Sequence, residues 1–169
     1  TNPPFGASVG KDQYIEIDDV ENDAKRIAYY KNLYGEEYEK QLKELQRIAN
    51  IVPGEDKKLK KEKALLNFYE TGKMSALTEV LFIERCLRLL KPGGRMGIVL
   101  PEGVLNNSKL QLVREYFEGK AKIILICSIP QDVFIKAGAT VKPSLVFLKK
   151  FTDEETKQYN DIVAKARKV

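Results

Sequence analysis

Three short apolar runs in the second half of the chain limit the folds that are open to it. They lie at residues 95–100, 122–129 and 144–149, and the first two are typical of strands buried on both faces of a sheet. Apolar residues at helical spacing precede the first run, over residues 76–90, and separate it from the second, over residues 108–118. No helical period separates the second and third runs. This order predicts an α/β sheet with at least two parallel strands and a long antiparallel return to the third.

The two helices of this region have candidate boundary residues. Ser75 is the candidate N-cap of the first, which is expected to end at the breaker Lys91-Pro92-Gly93-Gly94. Asn107 or Ser108 is the candidate N-cap of the second, and Gly119 is its expected stop.

Residues 11–75 have a different composition and predict a helical insertion. Helix formers dominate them, and thirteen Lys and Arg stand against fourteen Asp and Glu. One apolar stripe follows the candidate caps Asp18 and Asp19, and a second ends at Pro53-Gly54. Both stripes are narrow, which suits a solvated layer or a partner helix. The predicted boundaries are a motif loop at 1–10, the insertion at 11–75, a sheet domain at 76–151 and a helical tail at 152–169.

Charge is unevenly distributed along the chain, whose net charge is +5. Residues 76–169 carry sixteen basic and ten acidic residues, which is consistent with a polyanionic partner such as DNA. The insertion contains the lysine run Lys57-Lys58-Leu59-Lys60-Lys61. Acidic residues flank this run, which favours a solvated helix face over a phosphate-binding patch.

The composition also excludes several kinds of site. The 169 residues include no histidine and two cysteines, so the usual imidazole base is absent and no metal site or disulfide is expected. Cys86 and Cys127 lie in apolar stretches, which predicts that both thiols belong to the core. No apolar run reaches the length of a membrane span and no signal peptide is evident, so a cytoplasmic protein is expected.

The first residues, Thr1-Asn2-Pro3-Pro4-Phe5-Gly6, combine a carboxamide, two prolines and an aromatic ring. Proline holds φ at about −65° and lacks an N–H, so the carbonyl groups here are expected to point outward. The side-chain oxygen of Asn2 and the carbonyl of Pro3 suit the two N–H groups of an exocyclic base amine. Accepting both bonds favours a tetrahedral, nucleophilic nitrogen. Phe5 suits stacking on a base that has left the duplex, and a Pro-rich turn with a buried Phe is the structural alternative.

These residues resemble known motifs. Asn2-Pro3-Pro4-Phe5-Gly6 resembles the catalytic motif of amino-methylating DNA methyltransferases. Residues 81–105 are similar to the helix and strand that follow that motif in the modification subunits of type I restriction systems. The end of the sheet fits as well, through Ile129-Pro130, Val133-Phe134 and residues 138–149.

The resemblance implies a Rossmann-like, S-adenosylmethionine-dependent methyltransferase sheet and adenine N6 of DNA as the methyl acceptor. It assigns the catalytic positions to Asn2, Pro3, Pro4 and Phe5, with the first two binding the amine and Phe5 stacking on the base. It makes the loop at 130–143 a candidate second wall of the base pocket, with Phe134 and Lys142 as pocket candidates. Phe134 suits a plug at the edge of the sheet equally well. Glu102 suits a solvated loop carboxylate better than a ligand contact.

The chain also departs from that family. There, the glycine-rich cofactor loop precedes the Asn-Pro-Pro-Phe motif, on strands that these residues do not include. Gly93-Gly94 follows a helix and precedes a strand, which is the reverse of a nucleotide-binding turn. We therefore expect an incomplete sheet from a longer enzyme, inactive alone and without a cofactor site of its own. The implied partners are DNA and the specificity and restriction subunits, one of which chooses the target sequence.

Two other functions stay open at this point. A methyltransferase for another planar nitrogen, in RNA or a glutamine amide, would use the same amine-binding geometry, although such enzymes tend to carry Tyr in place of Phe5. A non-catalytic interaction module would bind a specificity subunit or a second copy through the insertion, or through an unpaired edge of the strand at residues 96–100.

Overall fold

The structure, a computed structural model, describes residues 1–133 and 141–166. The chain divides into two compact units. The first consists of Thr1–Ser8 together with Tyr69–Val169, and the second is Val9–Phe68. The second unit is therefore an insertion that leaves the first unit directly after the motif loop.

The first unit contains a three-stranded sheet. The strands are β1 (Arg95–Pro101), β2 (Ala121–Ser128) and β3 (Pro143–Lys150), in the spatial order β1-β3-β2. β3 is antiparallel to both neighbours, so β1 and β2 run in the same direction without pairing. The predicted α/β class and the antiparallel return are confirmed. The last strand lies in the centre of the sheet, between the two strands that precede it.

One face of the sheet is covered by helices and forms the core. The helices of this unit are α4 (Thr78–Leu89), α5 (Glu102–Asn106), α6 (Gln111–Glu118) and α7 (Asp153–Ala166). Helical spacing of three or four residues aligns the apolar side chains of α4 and α6 on one side, where they meet alternate residues of the strands. The central buried residues are Val80, Ile83, Leu87, Ile98, Leu100, Val104, Val113, Phe117, Val146 and Leu148.

The prediction that β2 is buried on both faces was wrong. Ile124, Leu125 and Ile126 are each about half exposed, at 50%, 53% and 47%. β2 lies at the edge of the sheet, and a break in register between Ile123 and Leu125 interrupts the alternation of its faces. Cys127 is exposed for the same reason and Cys86 is only half-buried, so the prediction of two core thiols was also wrong.

The second unit is helical, as the composition predicts. Its helices are α1 (Ala24–Tyr34), α2 (Glu36–Ala49) and α3 (Lys57–Lys63). α1 and α2 join at Gly35, whose φ of 68° lies in the left-handed region that glycine adopts without strain. The core is small, because the apolar stripes are narrow. It consists of Ile15, Val20 and Ala49, with Leu42, Leu45, Leu65 and Phe68 packed against them.

Several helix starts differ from the prediction. Asp23 caps α1 by accepting from the backbone N–H of Lys25 and Arg26, whereas Asp18 and Asp19 lie in a short 3-10 turn. α4 begins at Thr78 rather than beside Ser75, whose hydroxyl accepts from the N–H of Leu77. Asn107 accepts from the N–H of Lys109 and caps the 3-10 turn Ser108–Leu110, which directly precedes α6, rather than α6 itself. Among the described residues, no helix is long and apolar enough to cross a membrane.

Candidate functional site

The motif loop starts beside β1. The amino group of Thr1 donates to the carbonyl oxygen of Gly97 at 2.7 Å, and the N–H of Val99 donates to the carbonyl oxygen of Thr1 at 3.0 Å. In a parallel pair of strands, one residue bonds in this way to two residues that are two positions apart on the other strand. The motif therefore runs in the direction of β1, and residues 2–5 reach the edge of the sheet at which β1 ends.

The four motif residues differ in exposure. Asn2 and Pro4 are exposed, Pro3 is buried and Phe5 is half-buried. Within the described residues, neither the side chain of Asn2 nor the carbonyl oxygen of Pro3 has a hydrogen-bond partner. Two acceptors of the kind an exocyclic amine needs are thus unused. Asn2 is exposed and Phe5 is only half-buried, so neither side chain is packed fully into the core.

Thr78 and Glu79, at the start of α4, hold the motif loop in place. The Thr78 hydroxyl lies 2.9 Å from the carbonyl oxygen of Pro4 and 3.1 Å from that of Ala7, and the Thr78 N–H donates to Ala7 at 2.9 Å. The Glu79 carboxylate, which is 4% exposed, accepts from the N–H of Gly6 at 3.4 Å. The loop is therefore fastened on the far side of the prolines, which leaves Asn2 and Pro3 clear of these contacts.

Lys142 lies beside the carboxyl end of β1, at the same end of the sheet as the motif. Pro143 pairs with Pro101, and the N–H of Glu102 donates to the carbonyl oxygen of Lys142 at 2.9 Å. The Lys142 ammonium lies 3.6 Å from the Glu102 carboxylate, and both side chains are more than 40% exposed. Lys142 is thus one strand across from the motif, with β1 between them. The other pocket candidate, Phe134, falls outside the described residues.

A second carboxylate of α4 is buried close by. Glu84 is fully buried and accepts from the N–H of Glu70 at 3.0 Å and from the N–H and hydroxyl of Thr71 at 2.8 and 2.7 Å. Its side chain also pairs with Arg88. Burial, reinforced by the negative charges of Glu84 and Glu70, raises the pKa of Tyr116 to about 12. This network fixes the chain where it re-enters the first unit.

Sequence reasoning did not find Thr78, Glu79 or Glu84 as site or anchor residues. The available signal was two carboxylates on the apolar stretch of α4, because a buried carboxylate requires nearby donors. Their partners lie 13 to 74 residues away in the chain, so spacing alone does not identify them. No group of acidic or cysteine side chains suited to a metal ion occurs among residues 1–133 and 141–166.

An α/β unit with a motif loop at the carboxyl end of a strand is an architecture found in many enzymes, and the family is shown by comparison. The profile of the N-6 DNA methylase family matches residues 15–167. The chain therefore belongs to the N-6 DNA methylase family. The match begins after the Asn2–Phe5 motif, so the motif itself is not part of it.

Comparison with solved structures finds chains of similar fold, one of which is from Listeria monocytogenes. This Listeria protein is assigned to the class I S-adenosylmethionine-dependent methyltransferases and is 23% identical, with a TM-score of 0.45. The alignment covers 52% of this chain and 27% of that one, so the chain spans about a quarter of that protein's length. No curated protein matches the sequence.

Family membership implies S-adenosylmethionine as the cofactor. A nucleotide-binding turn needs glycines between a strand and the helix that follows it. Two described strands lead into a helix, β1 at Pro101-Glu102 and β3 through Phe151-Thr152, and neither turn contains glycine. These two turns therefore do not fit the cofactor.

Proposed function

We propose that this chain is the methyl-acceptor half of a DNA adenine-N6 methyltransferase. The observation that carries the proposal is the placement of the motif. Asn2 is exposed at the carboxyl edge of β1, and neither its side chain nor the Pro3 carbonyl has a partner among the described residues. Ligands of open α/β sheets bind at this edge, so the unused acceptors lie where a substrate is expected. Family membership supports DNA as the substrate.

In this proposal, each motif residue has one task. The Asn2 side-chain oxygen and the Pro3 carbonyl oxygen accept the two N–H bonds of the adenine amino group. This withdraws the nitrogen lone pair from the ring and stabilises the positive charge that develops as nitrogen attacks the methyl group. Phe5 stacks on the extruded base and returns about 1–3 kcal/mol of the stacking lost from the duplex. Pro3 and Pro4 hold the backbone extended without an N–H that would compete for the acceptors.

Other parts of the base pocket are also proposals. Lys142 lies at the same edge and is suited to a phosphate next to the extruded base, with Glu102 holding its ammonium group when DNA is absent. The methyl donor is proposed to bind protein outside the described residues, because neither strand-to-helix turn contains glycine. On the similarity of residues 81–105 and 129–149, we propose that the whole protein is a type I modification subunit with specificity and restriction subunits as partners.

Product analysis tests this function. Protein that includes this chain and its donor site is incubated with labelled S-adenosylmethionine and unmethylated duplex DNA, and the DNA is then digested to nucleosides for mass spectrometry. We expect the label in N6-methyl-2′-deoxyadenosine and none in deoxycytidine. RNA and total protein serve as parallel acceptors, so label found only in one of them would replace adenine with that acceptor. Donor binding without transfer to any acceptor would favour the interaction module.

A further inference from the structure

The helix α3 in the inserted unit carries five lysines, which fall into two groups. Lys60 pairs with Glu55 at 3.3 Å, and the buried Lys63 pairs with Glu16 at 2.8 Å while donating to the carbonyl oxygen of Ile51. The other three, Lys57, Lys58 and Lys61, are exposed, and none has an ion-pair partner among the described residues. We call these three side chains the lysine surface.

The position of the lysine surface is unfavourable for the helix itself. Lys57 and Lys58 occupy the first turn of α3, where the unpaired N–H groups already create partial positive charge. No acidic residue lies in this turn, and only the cap Asp56 offsets the charge. Residues that break a local rule without forming a compensating contact are often retained for function. Of the acidic neighbours, Glu62 pairs with Arg47 and Glu55 with Lys60, so neither pairs with these three lysines.

Several observations point to a phosphate backbone as the partner. α3 contributes none of the exposed large apolar side chains in the described chain, so it lacks the apolar face that a membrane-surface helix requires. Lysine acts as a point charge toward phosphate and does not need fixed geometry.

We propose that Lys57, Lys58 and Lys61 bind the phosphate backbone of the substrate DNA. The contact is independent of sequence and contributes affinity rather than base choice. This inference rests on the proposed function for the identity of the polyanion.

The salt dependence of DNA binding tests the inference. In the whole protein, the triple variant Lys57→Gln/Lys58→Gln/Lys61→Gln is compared with wild type on an unmethylated duplex, by fluorescence anisotropy at several salt concentrations. The slope of log K against log salt is negative, and each lost phosphate contact reduces its magnitude by about 0.9, so three lost contacts reduce the magnitude by about 2.7. Raising salt from about 50 to about 200 mM should then weaken wild type about 40-fold more than the variant.

A matched control removes the same charge elsewhere. Lys91, Lys157 and Lys165 are exposed. Lys91 lies after α4 and the other two lie on α7, so all three belong to the first unit and not to α3. Their triple Gln variant should keep the wild-type slope. A lysine-surface variant that binds DNA with a slope within about 0.9 of wild type overturns the inference, as does an equal loss in the control. Wild type that binds no DNA at any salt concentration contradicts the proposed function itself.

Discussion

Thr78 is the residue outside the motif whose replacement should disturb the motif most selectively. Its hydroxyl lies 2.9 Å from the Pro4 carbonyl oxygen and 3.1 Å from that of Ala7, and it has one hydrogen to donate. Thr78→Val keeps the shape and the backbone bond to Ala7 but removes that donor. The net value of one such bond is about 0.5–1.5 kcal/mol, so we expect the free energy of unfolding to fall by about 1 kcal/mol.

The same loss should appear in catalysis. If the bond holds the motif in its working position, about 1 kcal/mol of lost orientation corresponds to about a fivefold lower kcat. The affinity for DNA should change little, because the hydroxyl does not contact the substrate in this account. Thr78→Ser restores the donor and should recover kcat.

The assay for Thr78 is single-turnover methylation by the whole protein, with thermal unfolding of each variant measured in parallel. A Ser variant as slow as the Val variant would show that the hydroxyl alone does not hold the loop, because Ser keeps that donor. A Val variant with unchanged kcat would refute the anchoring role. The parallel unfolding measurement separates this role from a general loss of folded protein, because it shows whether each variant is folded at the assay temperature.

Three further predictions concern buried and exposed groups of the first unit. Glu84→Ala leaves the Thr71 donors and Arg88 without their acceptor, so denaturant unfolding should show a loss of about 3 kcal/mol, and a smaller loss for Glu84→Gln. Burial raises the pKa of Tyr116 to about 12, so the neutral phenol stabilises the fold fully below about pH 10, and this contribution to the free energy of unfolding is lost as pH rises toward 12. Tyr116→Phe should remove this part of the loss of stability at alkaline pH. Burial also raises the pKa of Cys86, so a maleimide should label the exposed Cys127 first, which Cys127→Ser tests directly.

The features that the sequence predicts well are those that depend on local period. Val80, Ile83 and Leu87 recur at helical spacing and lie on the buried face of α4. The run at 122–129 misled because an apolar strand at a sheet edge has the same composition as a central one. Its position depends on β3, which inserts between β1 and β2, and pairing order is not encoded in local spacing.

The candidate site divides in the same way. The chemistry of Asn2, Pro3 and Phe5 follows from residue type, and the exposure of Asn2 agrees with it. The anchoring of their loop by Thr78 and Glu79 joins residues more than 70 positions apart, and only the folded chain brings them together. The unpaired state of the lysine surface also depends on the fold, because it is decided by which acidic side chains are engaged by other partners.

The most direct test of the central claim is the kcat of Asn2→Ala in the whole protein, measured in single turnover on duplex DNA. Loss of one preorganised group at the reacting atom typically costs about 10²–10³ in rate, and we expect a loss of that size. Affinity for DNA and for S-adenosylmethionine should stay within a few-fold of wild type. A variant that methylates adenine within about threefold of the wild-type rate would contradict the assignment of Asn2 to the amine.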